Sequence, residues 1–351
     1  MTIAFQDIHE ALHAQFGEVD GQPAVLDYGK PQAEEQQART CAGLIALPNV
    51  HTIELAGPDS RRFANGMFTN NIRRLQPGEG NRSAMCDDRG IVQGLMDLYC
   101  TDDERFVGVL EGVTAAWFEQ RYEMYIVFDD VEMSVSDNAP WIWSVQGPQA
   151  ADVLEAAGLP TPLAPGHHLE TDSGIRVANK DRSGLGGFDL FLPDENVRTM
   201  TQRLMEAGAI PMGHTALEAI RIDHGRARWP TDGSEKSFVH ELAINEEVCN
   251  FNKGCYLGQE IINRIDVKGQ VNKRLSRIVV EHEGTAPIGS AVYLGESRVG
   301  KVSSAAITNG QSIALAVLRK AAWDPGTEVQ IETPDDRLRA KVGDSVQNPA
   351  E

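Results

Sequence analysis

Apolar residues along the chain recur at two spacings, and the alternation between them outlines the elements. Ile3, Phe5, Ile8, Leu12 and Phe16 follow a helical period and predict an amphipathic helix over residues 1–16. Residues 29–42 are polar and Gln/Glu-rich, which suits an exposed helix or connection. From about residue 50 the pattern predicts strand 51–56, helix 60–75, strands 81–87, 91–100 and 106–110, helix 113–124 and a strand near 127–134, with Arg89-Gly90 turning a hairpin. Trp141 and Trp143 share one face of a strand over 141–146, and Gly147-Pro148 then opens a helix over 149–157. A Pro-rich linker (159–172), strands 175–179 and 188–192 and a helix over 196–207 follow. Thr215 with Glu218 three residues on reads as a capping box, for a helix that Gly225 closes.

Beyond about 275 the texture changes to short strands between glycine turns: 276–281, 291–294, 299–306, 312–318, 328–332 and 338–342. Six strands in about seventy residues predict a small antiparallel barrel or sandwich, and residues 346–351 read as a frayed end. The expectation is an α+β body divided at 1–140 and 141–274, with a β-module over 275–345.

At 351 residues the chain is long enough for two or three domains, and 41% hydrophobic with 24% charged residues is a globular composition. Its apolar runs fall short of the roughly 18 residues a membrane helix needs, and Met1–Gln15 does not read as a signal peptide. Five widely spread cysteines with no CxxC argue against a disulfide framework and for a reducing cytoplasm. The formal charge of −19 argues against broad electrostatic binding to nucleic acid or an anionic membrane. One local exception is Arg264, Lys268, Lys273, Arg274 and Arg277, interrupted only by Asp266. This run is either a solvated face or the neighbourhood of an anionic ligand, such as a phosphate or a carboxylate tail.

The most chemically pointed stretch is Lys253-Gly254-Cys255-Tyr256-Leu257-Gly258-Gln259-Glu260. Two glycines let the backbone bend closely around one thiol, Lys253 would favour the thiolate, and Ile261, Ile262 and Ile265 predict a helix starting near Gly258. The plainer reading is a tight turn feeding a helix, with Cys255 as a small buried hydrophobe. The histidines do not space as zinc ligands: His240-Glu241 has no second histidine four residues away. Cys249 and Cys255, six apart, are loosely spaced for a chelate or a disulfide.

The octet resembles the signature of YgfZ-type folate-binding proteins: KGC, an aromatic, any residue, then GQE. That family shares its fold with the glycine-cleavage T-protein (aminomethyltransferase). Leu55-Ala56-Gly57-Pro58-Asp59, Phe68-Thr69-Asn70-Asn71, Val145-Gln146-Gly147-Pro148 and Ile220-Arg221-Ile222-Asp223-His224-Gly225 extend the resemblance from about Val50 to Val317. It implies three domains in a cloverleaf around a central folate-sized hole, with an all-β C-terminal barrel and interleaved first two domains.

The resemblance also assigns residues. The T-protein carries an Asp-Asp pair, one carboxylate of which positions folate and assists methylene transfer; the matching positions here are Gln93-Gly94. A glutamine hydrogen-bonds a pterin edge but does not exchange a proton near neutral pH. Asp97 shares the face of Gln93 but lies roughly 13 Å further along the strand at ~3.3 Å per residue. Asp189 stands where the family has an acid for the pterin N–H groups, with Arg182 in place of a tyrosine; the alternative is a solvated strand residue. Arg221 matches an arginine near the folate, or else pairs with Glu218 within its helix.

Taken together, the resemblance implies a cytoplasmic protein that binds tetrahydrofolate through Asp189, Arg221 and Gln93, draws the glutamate tail with Arg264 and Lys268, and uses Cys255 as its working thiol. It further implies support of iron–sulfur client or assembly proteins, such as tRNA-thiolating enzymes. Two alternatives stand beside it: a folate-dependent aminomethyl or methyl transferase, against which Gln93-Gly94 speaks, and a non-enzymatic scaffold that delivers clusters.

Overall fold

The computed structural model describes residues 5–47, 50–135, 140–269 and 271–344. The chain forms two compact units that interleave in sequence. The first comprises Met1–Asn65, Ile72–Arg82 and Met96–Leu217, and the second Gly66–Asn71, Ser83–Leu95 and Glu218–Glu351.

In the first unit a six-stranded sheet runs in the order His168–Glu170, Arg176–Asn179, Gly187–Leu192, Trp141–Gln146, Gly43–Ala46, Ile210–Pro211. All neighbours are antiparallel except the last pair. Every residue of Gly187–Leu192 is buried, as expected of a central strand. Leu44, Trp143, Val145 and Leu190 pack against Val153 and Leu154 of helix Ala150–Ala156 and Val197, Met200 and Leu204 of helix Asp194–Glu206. A five-stranded sheet has the order Gly80–Cys86, Val92–Asp102, Arg105–Glu111, His51–Ala56, Glu132–Ser134. Its first two strands divide between the units, at Arg82/Ser83 and Leu95/Met96.

In the second unit six strands close into a barrel: Lys273–Val280, Gln311–Arg319, Ser297–Thr308, Ala291–Leu294, Glu328–Glu332, Arg337–Val342. The expected all-β module is therefore found as a closed barrel, which leaves no open sheet edge. Closure comes from Lys273–Val280, whose Ile278 faces Ala314 on one side and Val342 on the other. The register slips between Val302 and Ser304, so Ser303 is the extra residue of a bulge.

Several expectations are corrected. The helix expected over 1–16 is Gln6–Ala11, followed by a hairpin of Gln15–Val19 with Gln22–Asp27; residues 1–4 lie outside the described residues. His13 (φ 63°) stops the helix, and Asp20-Gly21, both at positive φ, turn the hairpin. Helix 60–75 ends at Met67, because the Asn65 side chain accepts from the Ile72 and Arg73 amides and reverses the chain. The strand near 127–134 shortens to Glu132–Ser134, leaving Phe128 95% exposed. The linker contains strand His168–Glu170. Thr215 is not an N-cap: the helix already includes His214, and the Glu218 carboxylate is taken by Arg221 and Arg228. The frayed end at 346–351 falls outside the described residues.

Ile278 is fully buried at the barrel seam. Ile278→Ala is expected to cost about 2–5 kcal/mol, from lost burial plus the cavity left behind. Urea unfolding of the full chain measures it.

Candidate functional site

The octet folds as a turn leading into helix Gln259–Lys268, close to the expected start. Gly258 is its N-cap at φ 82°, a left-handed conformation that costs glycine nothing. A Cβ there would sit 2.5 Å from the Asp87 carbonyl oxygen and 2.9 Å from the Gly90 Cα. A Cβ on Gly90 would in turn lie 3.2 Å from the Gly258 oxygen. The glycines thus let the octet lie backbone to backbone against the hairpin tip Asp87–Gly90, with Gln93 three residues further on. Asp87 fixes that tip: its Oδ1 accepts from the Arg89 and Ile91 amides, and its Oδ2 from the Arg89 guanidinium. Burial alone would raise its pKa, but these donors lower it overall.

Tyr256 is buried in a cluster with Val92, Leu95, Trp229, Cys249 and Ile262, so the octet and the strand carrying Gln93 share one core. The Gln93 carbonyl accepts from Trp229 Nε1, at 3.2 Å. Its side-chain amide reaches only the Ile91 and Val92 carbonyls, both at 3.4 Å. Lys253 Nζ donates to the Phe68 and Asn70 carbonyls, at 2.6 Å each, and lies 4.9 Å from the Tyr256 ring centroid. It clamps the 68–70 loop, and burial pushes its pKa down to about 7. Cys255 is an exposed free thiol, rather than the buried hydrophobe of the plainer reading. Cys249 is buried nearby in sequence, with its pKa raised by burial to about 12. Gly254 and Glu260 are exposed and Gln259 half-buried.

Arg221, also in the second unit, is 3% exposed with all five N–H groups engaged. Nε and one terminal nitrogen grip the Glu218 carboxylate, at 2.8 and 2.6 Å. The other terminal nitrogen holds Asp232 Oδ2 at 2.7 Å and the Arg226 carbonyl at 3.0 Å, and the last N–H reaches Ser304 Oγ at 2.8 Å. The bulge at Ser303 aims two consecutive hydroxyls at Asp232 Oδ1, each at 2.6 Å. Burial works against the charge on Arg221, yet the paired carboxylates raise its pKa. The intrahelical pairing is what the structure contains, widened into a network; no donor is left over for a ligand.

Asp189 belongs to the first unit and is fully buried, not solvated. It takes the Arg182 guanidinium at 2.6–3.1 Å and the Ser144 hydroxyl at 2.8 Å. Gln146 completes the arrangement: its Nε2 donates to Ser144 Oγ and the Lys180 carbonyl, and its Oε1 accepts from the Arg182 amide. Beside this pair, Asp97 is bound by Lys180 Nζ at 2.6 Å and Glu111 by Arg82 at 2.5 Å. Burial would raise the Asp97 pKa, but Lys180, Arg82 and Arg182 hold it low. Sequence reasoning passed over Lys180, Gln146 and Asp232. A signal existed for the first: Asp97 interrupts the apolar run Leu95–Cys100, and a charge in a buried strand requires a partner.

The last two candidates, Arg264 and Lys268, are exposed on helix Gln259–Lys268. Among the described residues no group of three or more His, Cys, Asp or Glu is placed to hold a metal ion.

Removing one partner of a buried ion pair strands the other. Asp189→Asn is therefore expected to destabilise the chain by about 3–5 kcal/mol, read by urea unfolding, besides any effect on ligand binding. The Asp97 pKa is depressed on folding, so its contribution is present above the unfolded value near ~4 and is lost as pH falls through the folded value. Asp97→Asn should flatten that acid limb. Gly258→Ala should lower the melting temperature by several degrees through left-handed strain and the Asp87 clash, whereas Gly254→Ala, with open space around its Cβ position, should not.

Residues 5–253 match the model of the GCVT N-terminal domain, and residues 273–347 match that of the glycine cleavage T-protein C-terminal barrel domain. The chain is 29% identical to an aminomethyltransferase of Rubrobacter xylanophilus, over 88% of this chain and 84% of that one. It is 26% identical to an aminomethyltransferase of Herpetosiphon aurantiacus, over 95% and 94%. The crystal structure of glycine cleavage system aminomethyltransferase T from Bartonella henselae superposes with a TM-score of 0.91, at 20% identity and 99% coverage of both chains, which establishes the expected α+β T-protein fold. These relatives overturn the expected role in supporting iron–sulfur enzymes of tRNA thiolation, since the likeness to aminomethyltransferases runs the length of the chain. The YgfZ-type octet misled because Gly258 and Tyr256 have packing roles in this fold, against Asp87–Gly90 and in the Tyr256 cluster. Both domain models are matched, together covering most of the chain: it belongs to the glycine cleavage T-protein (GCVT) family.

Proposed function

We propose that this chain is a tetrahydrofolate-dependent one-carbon transferase acting on an aminomethyl donor. The supporting observation is the end-to-end likeness to aminomethyltransferases, with both family domains present. GCVT aminomethyltransferases use tetrahydrofolate as their one-carbon acceptor. The expected donor is the aminomethyl group on a carrier protein of the glycine cleavage H-protein kind. In that reaction the methylene carbon passes from the carrier's sulfur and the amine to N5 and N10 of the folate. The two N–H protons of the folate go to the released ammonia and thiolate, so methylene-tetrahydrofolate, ammonia and free thiol result.

On this reading Gln93 faces the pterin as a hydrogen-bonding group that cannot relay those protons. The chain's contribution is then chiefly the positioning of two reactants. Asp189 holds Arg182 and Ser144 within the first unit, and Arg221 holds its helix to the barrel strand carrying Ser304 within the second. The octet favours a place near the YgfZ-type branch of the superfamily by sequence, and the cysteine content favours a reducing cytoplasm.

Tetrahydrofolate is expected to quench tryptophan fluorescence saturably, and incubation with an aminomethylated carrier should yield methylene-tetrahydrofolate. Gln93→Asp should raise that rate at least tenfold with little change in folate affinity, since positioned proton transfer contributes about 10²–10⁴. Absence of folate binding would sink the proposal.

A further inference from the structure

A cavity of about 440 Å³ opens in the second unit, within the range of small-molecule sites. One wall is helix Gln259–Lys268, which presents Ile261, Arg264, Ile265 and Lys268; the other is the turn carrying Phe238, His240 and Glu241, with Val271 and Asn272 at the edge. Arg264 and Lys268 are four residues apart, so their stems lie on one helix face about 6 Å from each other. Phe238, Ile261, Ile265 and Val271 give the cavity an apolar lining between the charges.

His240 marks this as more than a solvated groove. It is 7% exposed, yet among the described residues its Nδ1 has no hydrogen-bond partner and its Nε2 stands 3.5 Å from Asp266 Oδ1. An unpaired buried polar group is costly, and a ligand group reaching it would remove that cost. Burial lowers its pKa, keeping the ring neutral at pH 7 and able to donate or accept. Glu241 places an acceptor on the same wall, one oxygen already taking the Phe238 amide at 3.3 Å, with its pKa raised by burial.

We propose that this cavity binds a carboxylate-bearing molecule with an aryl or alkyl body and an N–H donor at its far end. Arg264 and Lys268 hold the carboxylate, the apolar lining holds the body, and Glu241 with His240 receives the N–H end. The aminobenzoyl-glutamate tail of a folate and a free aminoaryl acid share this chemistry. The argument is independent of the proposed transfer reaction.

Calorimetry on the full chain with 4-aminobenzoyl-glutamate, 4-aminobenzoate and neutral 4-aminobenzamide tests it. Both acids are expected to bind and the amide at least tenfold more weakly. The double variant Arg264→Ala/Lys268→Ala should lose tenfold or more for the acids while melting like the parent, because both side chains are exposed. His240→Phe should weaken both acids and the amide alike. Equal binding of amide and acid, or an unchanged double variant, would overturn the proposal. Competition of 4-aminobenzoyl-glutamate with tetrahydrofolate would identify the folate tail as occupant, and simultaneous binding a separate aryl acid. Folate binding without aryl-acid binding sinks this site alone; the reverse sinks the transferase reading alone.

Discussion

A guanidinium taken out of water has five N–H groups to satisfy, and Arg221 satisfies all five from four directions. The requirement ties its own helix (Glu218), the following turn (Arg226, Asp232) and a barrel strand (Ser304) into one piece of the second unit. It also explains the bulge in Ser297–Thr308. A regular strand would send Ser303 and Ser304 to opposite faces, whereas the slipped register lets both hydroxyls reach Asp232. The barrel is thereby fixed to the Arg221 helix by charge-assisted hydrogen bonds as well as by the packing of Ile222 against Leu275, Ile313 and Leu315.

The first unit obeys the same rule. Three cations (Arg82, Lys180, Arg182) meet three carboxylates (Glu111, Asp97, Asp189); Ser144 adds a neutral donor to Asp189, and Gln146 ties the Lys180 and Arg182 backbone to Ser144. Desolvation makes each unpaired charge costly, so the cluster is stable only as a whole. Two residues read from the sequence as pterin ligands, Asp189 and Arg221, are therefore each bound within the protein first. To reach these charges directly a ligand would have to replace bonds already made, at little net gain.

The β-module was legible because six short apolar runs between glycine turns admit few closures. Helix Gln259–Lys268 and the Arg89-Gly90 hairpin were legible for similar local reasons. The N-terminal helix failed at His13, whose positive φ broke a pattern that apolar spacing alone could not distinguish from a longer helix. Partners were the least legible. Arg182 and Asp189 sit seven residues apart across a hairpin, but Arg221 and Ser304 are 83 apart, and no local pattern announces such a bond. The octet showed its glycines but not their use, since the atom that excludes a side chain at Gly258 is the Asp87 carbonyl oxygen, far away in sequence.

That packing bears on the chemistry. Gly258 and Gly90 hold the hairpin tip rigidly, Asp87 locks the turn from inside, and Trp229 fixes the Gln93 carbonyl. On the resemblance, Gln93 stands where the family has a carboxylate, so the group this hairpin would present is an amide. Nothing nearby in the strand compensates: Asp97 is on the same face but committed to Lys180, with its pKa held low by that cation and by Arg82 and Arg182 against the cost of burial. A carboxylate so held is a poor proton shuttle near neutral pH. On the proposed function, the chain's own contribution is then to bring folate and the aminomethyl carbon together, with the protons moving through solvent or the reactants themselves.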